Sequence, residues 1–221
     1  MTGLVRKAAI LAACGVLFGA AVAYAGVPSP GNSTIPARVN LVGGDAGTSQ
    51  ADGGPLYALV TVTVRDLAAN PIANSSVVLD FSGMVSDTRI GDTSSQLYPG
   101  VVANCGTHGI SSLTNVSGVA TFVVMGGGKS PVGAAHAIGA GKVYADGVLL
   151  GSLNVGLYDL NGQDGVTLAD LSLWSADYFS STNPDRANYD QIGGVDLLDL
   201  SVWGGAYFGG GSNVSSATYC P

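Results

Sequence analysis

The sequence predicts a mainly β fold: a two-sheet sandwich over residues 37–157, followed by a small helical repeat pair over 158–208. Three observations predict it. Alternating apolar and polar runs, rich in Val and Thr, recur between turn signals up to residue 157. Beyond it, Leu168-Ala-Asp170-Leu-Ser-Leu-Trp174-Ser-Ala-Asp-Tyr178-Phe179 recurs as Leu197-Leu-Asp199-Leu-Ser-Val-Trp203-Gly-Gly-Ala-Tyr207-Phe208, offset by 29 residues. Charge shifts at the same boundary: residues 26–157 hold seven Asp against five Lys and Arg, and residues 158–221 hold eight Asp against one Arg.

The chain opens as an export signal. Arg6 and Lys7 precede an apolar run from Ala8 to Val22, and Ala23-Tyr24-Ala25 supplies a small-x-small cleavage pattern. A second reading places a lipobox at Leu11-Ala-Ala-Cys14, but only six apolar residues separate Lys7 from Cys14 and the run continues past it. Cleavage after residue 25 leaves 196 residues, enough for one large or two small domains. The run is too short for a comfortable membrane span, and no later stretch qualifies. The mature chain is therefore expected to be secreted, without a membrane span.

Residues 26–36 are rich in Pro, Gly and Ser and read as a flexible lead-in. Leu59-Val-Thr-Val-Thr-Val-Arg65 alternates, which places Val60, Val62 and Val64 on one face. Val77-Val-Leu-Asp-Phe81 and Ala120-Thr-Phe-Val-Val124 do the same. Turns are expected at Ala69-Asn-Pro71, Asn115-Val-Ser-Gly118, Gly126-Gly-Gly128 and Ala145-Asp-Gly147. The last joins Val143-Tyr-Ala145 to Val148-Leu-Leu150 as a hairpin. The stretch 83–113 is long and polar for a sandwich loop and is expected to be an irregular excursion or a binding surface. Val62-Thr-Val-Arg-Asp66, Asn70-Pro-Ile72, Val77-Val-Leu-Asp-Phe81 and Asn115-x-x-Gly118-x-Ala120-x-Phe122 together resemble bacterial immunoglobulin-like domains of the invasin type. That resemblance implies a spacer, stalk or adhesive sandwich with no catalytic residues.

In the tail, Leu171, Trp174 and Tyr178 fall at helical spacing, as do Leu200, Trp203 and Tyr207. Ser180-Ser-Thr-Asn-Pro184 ends the first helix and Gly209-Gly-Gly211 the second, leaving 209–221 as a terminal tail. Neither helix is long enough to stand alone, so the two apolar faces are expected to share a core. The paired Trp residues lie on the leucine faces and read as core rather than as a sugar platform.

An oxygen-rich stretch precedes each helix. A calcium loop of the EF-hand kind needs oxygens at positions 1, 3, 5, 7, 9 and 12 and a permissive residue at 6. With Asp170 at 12, Asp159 stands at 1, Asn161 at 3, Gln163 at 5, the Gly165 carbonyl at 7 and Thr167 at 9. Asp164 takes the place of Gly at 6; Asp tolerates left-handed backbone, or the loop shifts and Asp164 replaces Gln163 as ligand. In the second copy Asp199 stands at 12, Asn188 at 1, Asp190 at 3, Gly193 at 6 and Asp196 at 9. Ile192 at position 5 offers no side-chain oxygen, so this loop is expected to be the weaker. Thr167 and Asp196 also read as helix caps, with Asp170 and Asp199 in the first turns; that arrangement needs no metal and coexists with one.

Two loop–helix repeats at this separation, each with Asp at the twelfth position, resemble a dockerin type I module over 158–208. The resemblance implies Ca2+ as the ligand and a cohesin-like module as partner. In dockerins the residues at positions 10 and 11 help to choose the cohesin and are often hydroxyl-bearing. Here they are Leu168-Ala169 and Leu197-Leu198, an apolar surface expected to be covered by the chain's own sandwich domain or by a neighbouring subunit, a cohesin-like module or another copy of the chain.

Cys105 and Cys220 are the cysteines of the mature chain, and export permits a disulfide between them; free thiols or an intermolecular bridge are the alternatives. An acidic, lysine-poor chain is a poor match for nucleic acid. His108 and His136 stand alone, outside zinc-ligand spacing, and no Gly-x-Ser-x-Gly elbow occurs. Gly128-Lys-Ser130 lacks the earlier glycine of a phosphate loop, since Val123 stands there, and reads as a hairpin turn before Pro131. The expected function is a non-catalytic, calcium-binding module for protein assembly outside the cell or at its surface. A structural subunit of an extracellular fibre or coat, or a glycan-binding accessory protein, are the alternatives.

Overall fold

The computed structural model describes residues 26–44, 58–129, 141–180, 184–190, 192–210 and 220. The leader, His136 and the tail beyond residue 210, Cys220 apart, lie outside the described residues. The fold is mainly β; the α-helices with described bounds lie in the C-terminal part.

The strands are β1 (Arg38–Leu41), β2 (Leu59–Thr63), β3 (Ser76–Asp80), β4 (Thr88–Ile90), β5 (Val102–Asn104), β6 (Gly109–Leu113), β7 (Val119–Val123), β8 (Gly126–Gly128), β9 (Gly141–Ala145) and β10 (Val148–Leu157). Six form one sheet in the order β1-β10-β9-β3-β6-β5, while β2 pairs with β7 and β4 with β8. Alternation decides which faces turn inward. Val60 and Val62 of β2 sit opposite Phe122 and Ala120 of β7, and all four are buried. Val77 and Leu79 of β3 sit opposite Ala145 and Val143 of β9 and join the same core. Asp146 and Gly147 turn the β9–β10 hairpin with φ of 47° and 81°, the paired left-handed residues that a tight hairpin favours.

The stretch 83–113 differs from the irregular excursion expected of it. It carries most of a 3-10 turn (Ser82–Met84) and strands β4, β5 and β6. Two of these strands have three residues each, too few for alternation to register. β5 is an outer edge, and Thr93 covers it: the Thr93 hydroxyl donates to the Ala103 carbonyl (3.2 Å) and accepts from the Ala103 N–H (3.0 Å). The lead-in is also held. Ser29 N–H donates to the Arg65 carbonyl, and Thr34 bridges Thr63 at the end of β2.

Gly126–Gly128, expected as a turn, is strand β8, antiparallel to β4 with Thr88 opposite Gly128 and Ile90 opposite Gly126. Bare backbone lets another segment lie flush against it: Gly128 N–H donates to the Asp159 carbonyl at 2.6 Å. Cys105 and Cys220 form a disulfide, and Cys220 N–H donates to the Ile90 carbonyl.

The helices are α1 (Leu168–Ser180), α2 (Pro184–Ala187) and α3 (Leu197–Phe208). The short α2 follows the expected break, and Arg186 on it makes a bidentate pair with the buried Asp177 of α1 (2.6 and 2.8 Å). Packing does not break at residue 157. Tyr158, Leu160, Val166, Trp174, Tyr189, Val202, Trp203 and Ala206 belong to the same buried cluster as the strands. The two helices thus bury their Trp faces in the core of the β-body, rather than in a small core of their own. Among the described residues no helix is long and apolar enough to cross a membrane.

Candidate metal centre

Strand β10 delivers the chain into the first loop, and α1 closes it. Asp170, on the first turn of α1, has no exposed surface. Its Oδ1 accepts from Asn161 N–H (3.0 Å), and its Oδ2 accepts from Thr167 N–H (2.7 Å) and the Thr167 hydroxyl (3.0 Å). One carboxylate therefore ties the third loop position to the ninth. Asp159 Oδ1 accepts from Gly162 N–H (2.6 Å), and Asn161 Oδ1 accepts from Gln163 N–H (2.7 Å). Asp159 and Asn161 are buried, whereas Gln163 and Asp164 are exposed. Asp164 has φ of 61° and Gly165 of 71°, so the left-handed turn spans the sixth and seventh positions and Asp164 does adopt left-handed backbone.

The second loop repeats this closure. Asp199, also without exposed surface, accepts through Oδ1 from Tyr189 N–H (2.5 Å) and Asp190 N–H (3.3 Å), and through Oδ2 from Asp196 N–H (2.9 Å). Again the twelfth residue joins the third position to the ninth. Gly193 supplies the left-handed turn at the sixth, with φ of 75°. Asn188 Nδ2 donates to the Gly193 carbonyl, and Asp190 Oδ1 accepts from Ile192 N–H. Asp196 caps α3, accepting from Leu198 N–H and forming a reciprocal capping box with Asp199.

Both twelfth-position carboxyls are desolvated. Burial pushes the Asp170 and Asp199 carboxyls above the usual carboxylate range, and the N–H donors around them only partly offset it. Their hydrogen-bond donors are backbone N–H groups and one hydroxyl; among the described residues neither pairs with a Lys or Arg. Asp190 Oδ2 is buried with no hydrogen-bond partner. A dipositive ion with oxygen ligands fits this donor set: two or three carboxylates, Asn, Thr and loop carbonyls, with no sulfur or imidazole. Among the described residues no three His, Cys, Asp or Glu side chains gather at one point, so a cation here would draw on the amide, hydroxyl and carbonyl oxygens as well.

The tenth and eleventh positions stay on the surface. Leu168 is 64% exposed and Leu197 65%, and Ala169 and Leu198 are exposed beside them. Phe179 and Phe208, the last aromatic of each repeat, are 81% and 86% exposed. His108 is buried, with its Nε2 3.1 Å from the Thr88 hydroxyl.

Two features escape the motif reading. Tyr158 and Tyr189 stack between the loops, and the sequence carried a signal for them: the dipeptide Tyr-Asp occurs at 158–159 and again at 189–190. The Gly126–Gly128 contact with loop one carried none, because glycines without a neighbour in view read as a turn. No family model matches this chain, and no curated protein or solved structure matches it either.

Proposed function

We propose that residues 158–208 are a calcium-folded, dockerin-like repeat pair, and that the immunoglobulin-like β-body carries it as an exported, non-catalytic assembly protein. One observation supports this most strongly. Two loops that differ at positions 1, 3, 5, 6 and 9 share one closure: a buried Asp at the twelfth position bonded to the third and ninth, with a left-handed sixth. Capping alone accounts for the bond to the ninth residue. It does not require a second buried bond back to the third, nor the buried Asp190 oxygen left without a partner. In loop one Asp159, Asn161, Gln163, Thr167, Asp170 and the Gly165 carbonyl would hold the ion; in loop two Asn188, Asp190, Asp196 and Asp199 would. The ion supplies positive charge to buried carboxylates, and its binding free energy becomes folding free energy.

The exposed Leu168, Ala169, Leu197 and Leu198 support a protein partner rather than a nucleic acid: a cohesin-like module or another copy of the chain. The test is calorimetric calcium titration of the mature chain after chelation, with circular dichroism on the same samples. Saturable binding that Asp159→Ala and Asp170→Ala each weaken, with loss of helix, upholds the reading. Unchanged affinity in both variants sinks it, and the loops are then capped turns. Light scattering separates the partners: calcium-dependent polymers favour self-assembly, whereas a monomer that captures cohesin favours docking.

A further inference from the structure

The first loop does not close on itself alone. Its outer wall is β8. Gly128 N–H donates to the Asp159 carbonyl (2.6 Å), and a Cβ on Gly128 would collide with the Leu160 carbonyl oxygen. A Cβ on Gly162 would collide with the Gly128 carbonyl oxygen. Between these two points, a Cβ on Gly127 would stand 3.0 Å from Asp159 Oδ2 and 3.2 Å from its Cγ. The space that a side chain at 127 would take is filled by the carboxylate of the first loop position. The second loop has no such wall at its own turn: a Cβ on Gly193 or Gly194 would meet nothing within 4 Å.

We infer that Gly127, beside Gly128 whose N–H holds the Asp159 carbonyl, positions the Asp159 carboxylate, so that cation binding in the first repeat is coupled to the β4–β8 ribbon of the β-body. This rests on the calcium reading of loop one. Asp159 Oδ1 accepts from the Gly162 amide, and the rest of its carboxylate occupies the space where a Cβ at 127 would stand. A bulkier residue at 127 must turn that carboxylate away or lift the loop, and supporting groups of this kind set how well a ligand is aimed. In the other direction, an ion that holds Asp159 also holds its carbonyl on the Gly128 amide, and through β8 it steadies β4. That strand carries Ile90, whose carbonyl receives the Cys220 N–H. The two repeats therefore meet the β-body differently: the first through the β8 backbone beside Asp159, the second through Tyr189, with open space at its Gly193-Gly194 turn.

The experiment uses the mature chain and two readouts. In calcium titration, Gly127→Val should weaken by about tenfold or more the same binding step that Asp159→Ala removes, and should spare the step removed by Asp190→Ala. In the unmodified chain, amide exchange at Gly128 and along β4 should slow when calcium replaces chelator. This second readout decides the matter if Gly127→Val does not fold. A Gly127→Val titration identical to that of the unmodified chain overturns the coupling and leaves the calcium reading standing, as does exchange at Gly128 that ignores calcium. A chain that takes up no calcium overturns both.

Discussion

Tyr158 and Tyr189 stack with ring centroids 4.6 Å apart and 28° between their planes, at the point where the two repeats meet the β-body. The Tyr189 hydroxyl donates to the Leu157 carbonyl (2.9 Å), and Asn40 on β1 donates its side-chain amide to the Tyr189 carbonyl (3.1 Å). Trp203 of α3 donates its indole N–H to the Tyr158 carbonyl (3.3 Å). One aromatic pair thus joins β1, the end of β10, the second loop and α3. Burial and the surrounding carboxylates hold the Tyr189 phenol protonated as a donor.

Tyr189→Phe keeps the ring and loses one buried hydrogen bond, a cost of about 1–2 kcal/mol. Tyr189→Ala also opens a cavity and should cost about 3–5 kcal/mol. Denaturant unfolding followed by both tryptophan fluorescence and far-ultraviolet dichroism checks the integration of the tail. Both probes should shift together in both variants. A tryptophan transition that moves alone would mean that the tail unfolds separately from the strands.

A second expectation concerns pH in the absence of calcium. Asp170 and Asp199 have folded-state values above the ordinary 3.8, because burial outweighs their hydrogen bonds. The fold therefore favours their protonated forms. Their contribution is fully present below the ordinary value and is lost as pH rises through the raised values. The exposed Asp66 and Asp92 are held low, by hydrogen bonds from Asn70 and from Ser94 and Ser95, and act in the opposite sense. A difference measurement removes them. In chelator, the unmodified chain should lose stability relative to Asp170→Asn/Asp199→Asn as pH climbs from about 4 to 7. Saturating calcium should reverse that trend. A difference that stays flat with pH would show that the two carboxyls titrate as solvated groups.

The disulfide closes a loop of 115 residues from Cys105 to Cys220. A bridge of this span stabilises chiefly by restricting the unfolded chain, by about 3–4 kcal/mol. Cys220→Ser should lower the melting midpoint by roughly 6–16 °C for a chain of this size, and reduction of the unmodified protein should reproduce it. A non-reducing peptide map without a linked 105–220 peptide would refute the bridge directly.

How far the sequence reached depended on pattern length. β2, β3, β7 and the β9–β10 hairpin were legible because alternation ran for several residues with a turn to bound it. The twelfth-position Asp residues were legible because the 29-residue repeat fixed their register. Strands of three residues, such as β4 and β5, carry no period to read. β8 was misread as a turn because its glycines signal close approach as well as flexibility, and only the fold shows what approaches: Asp159, more than thirty residues downstream. A small core shared by the two helices is as far as the sequence leads for a related reason, since helical periodicity shows which face is buried and not against what.

Assembly through a sheet edge is a second route by which copies of this chain would join, and at β5 Thr93 stands in its way. A bare edge strand offers outward N–H and C=O groups to another chain. At β5 the Thr93 hydroxyl takes both such groups of Ala103, while Val102 beside it stays half exposed. Thr93→Val preserves the shape and removes the cover, at a stability cost of about 1 kcal/mol. Light scattering of this variant with and without calcium separates two routes. Calcium-independent association of Thr93→Val, absent from the unmodified chain, would show that the edge is competent and that the hydroxyl holds it in check. A variant that stays monomeric in chelator would count against the β5 edge and in favour of the exposed Leu168, Leu197, Leu198, Phe179 and Phe208 as the surface of a calcium-dependent contact.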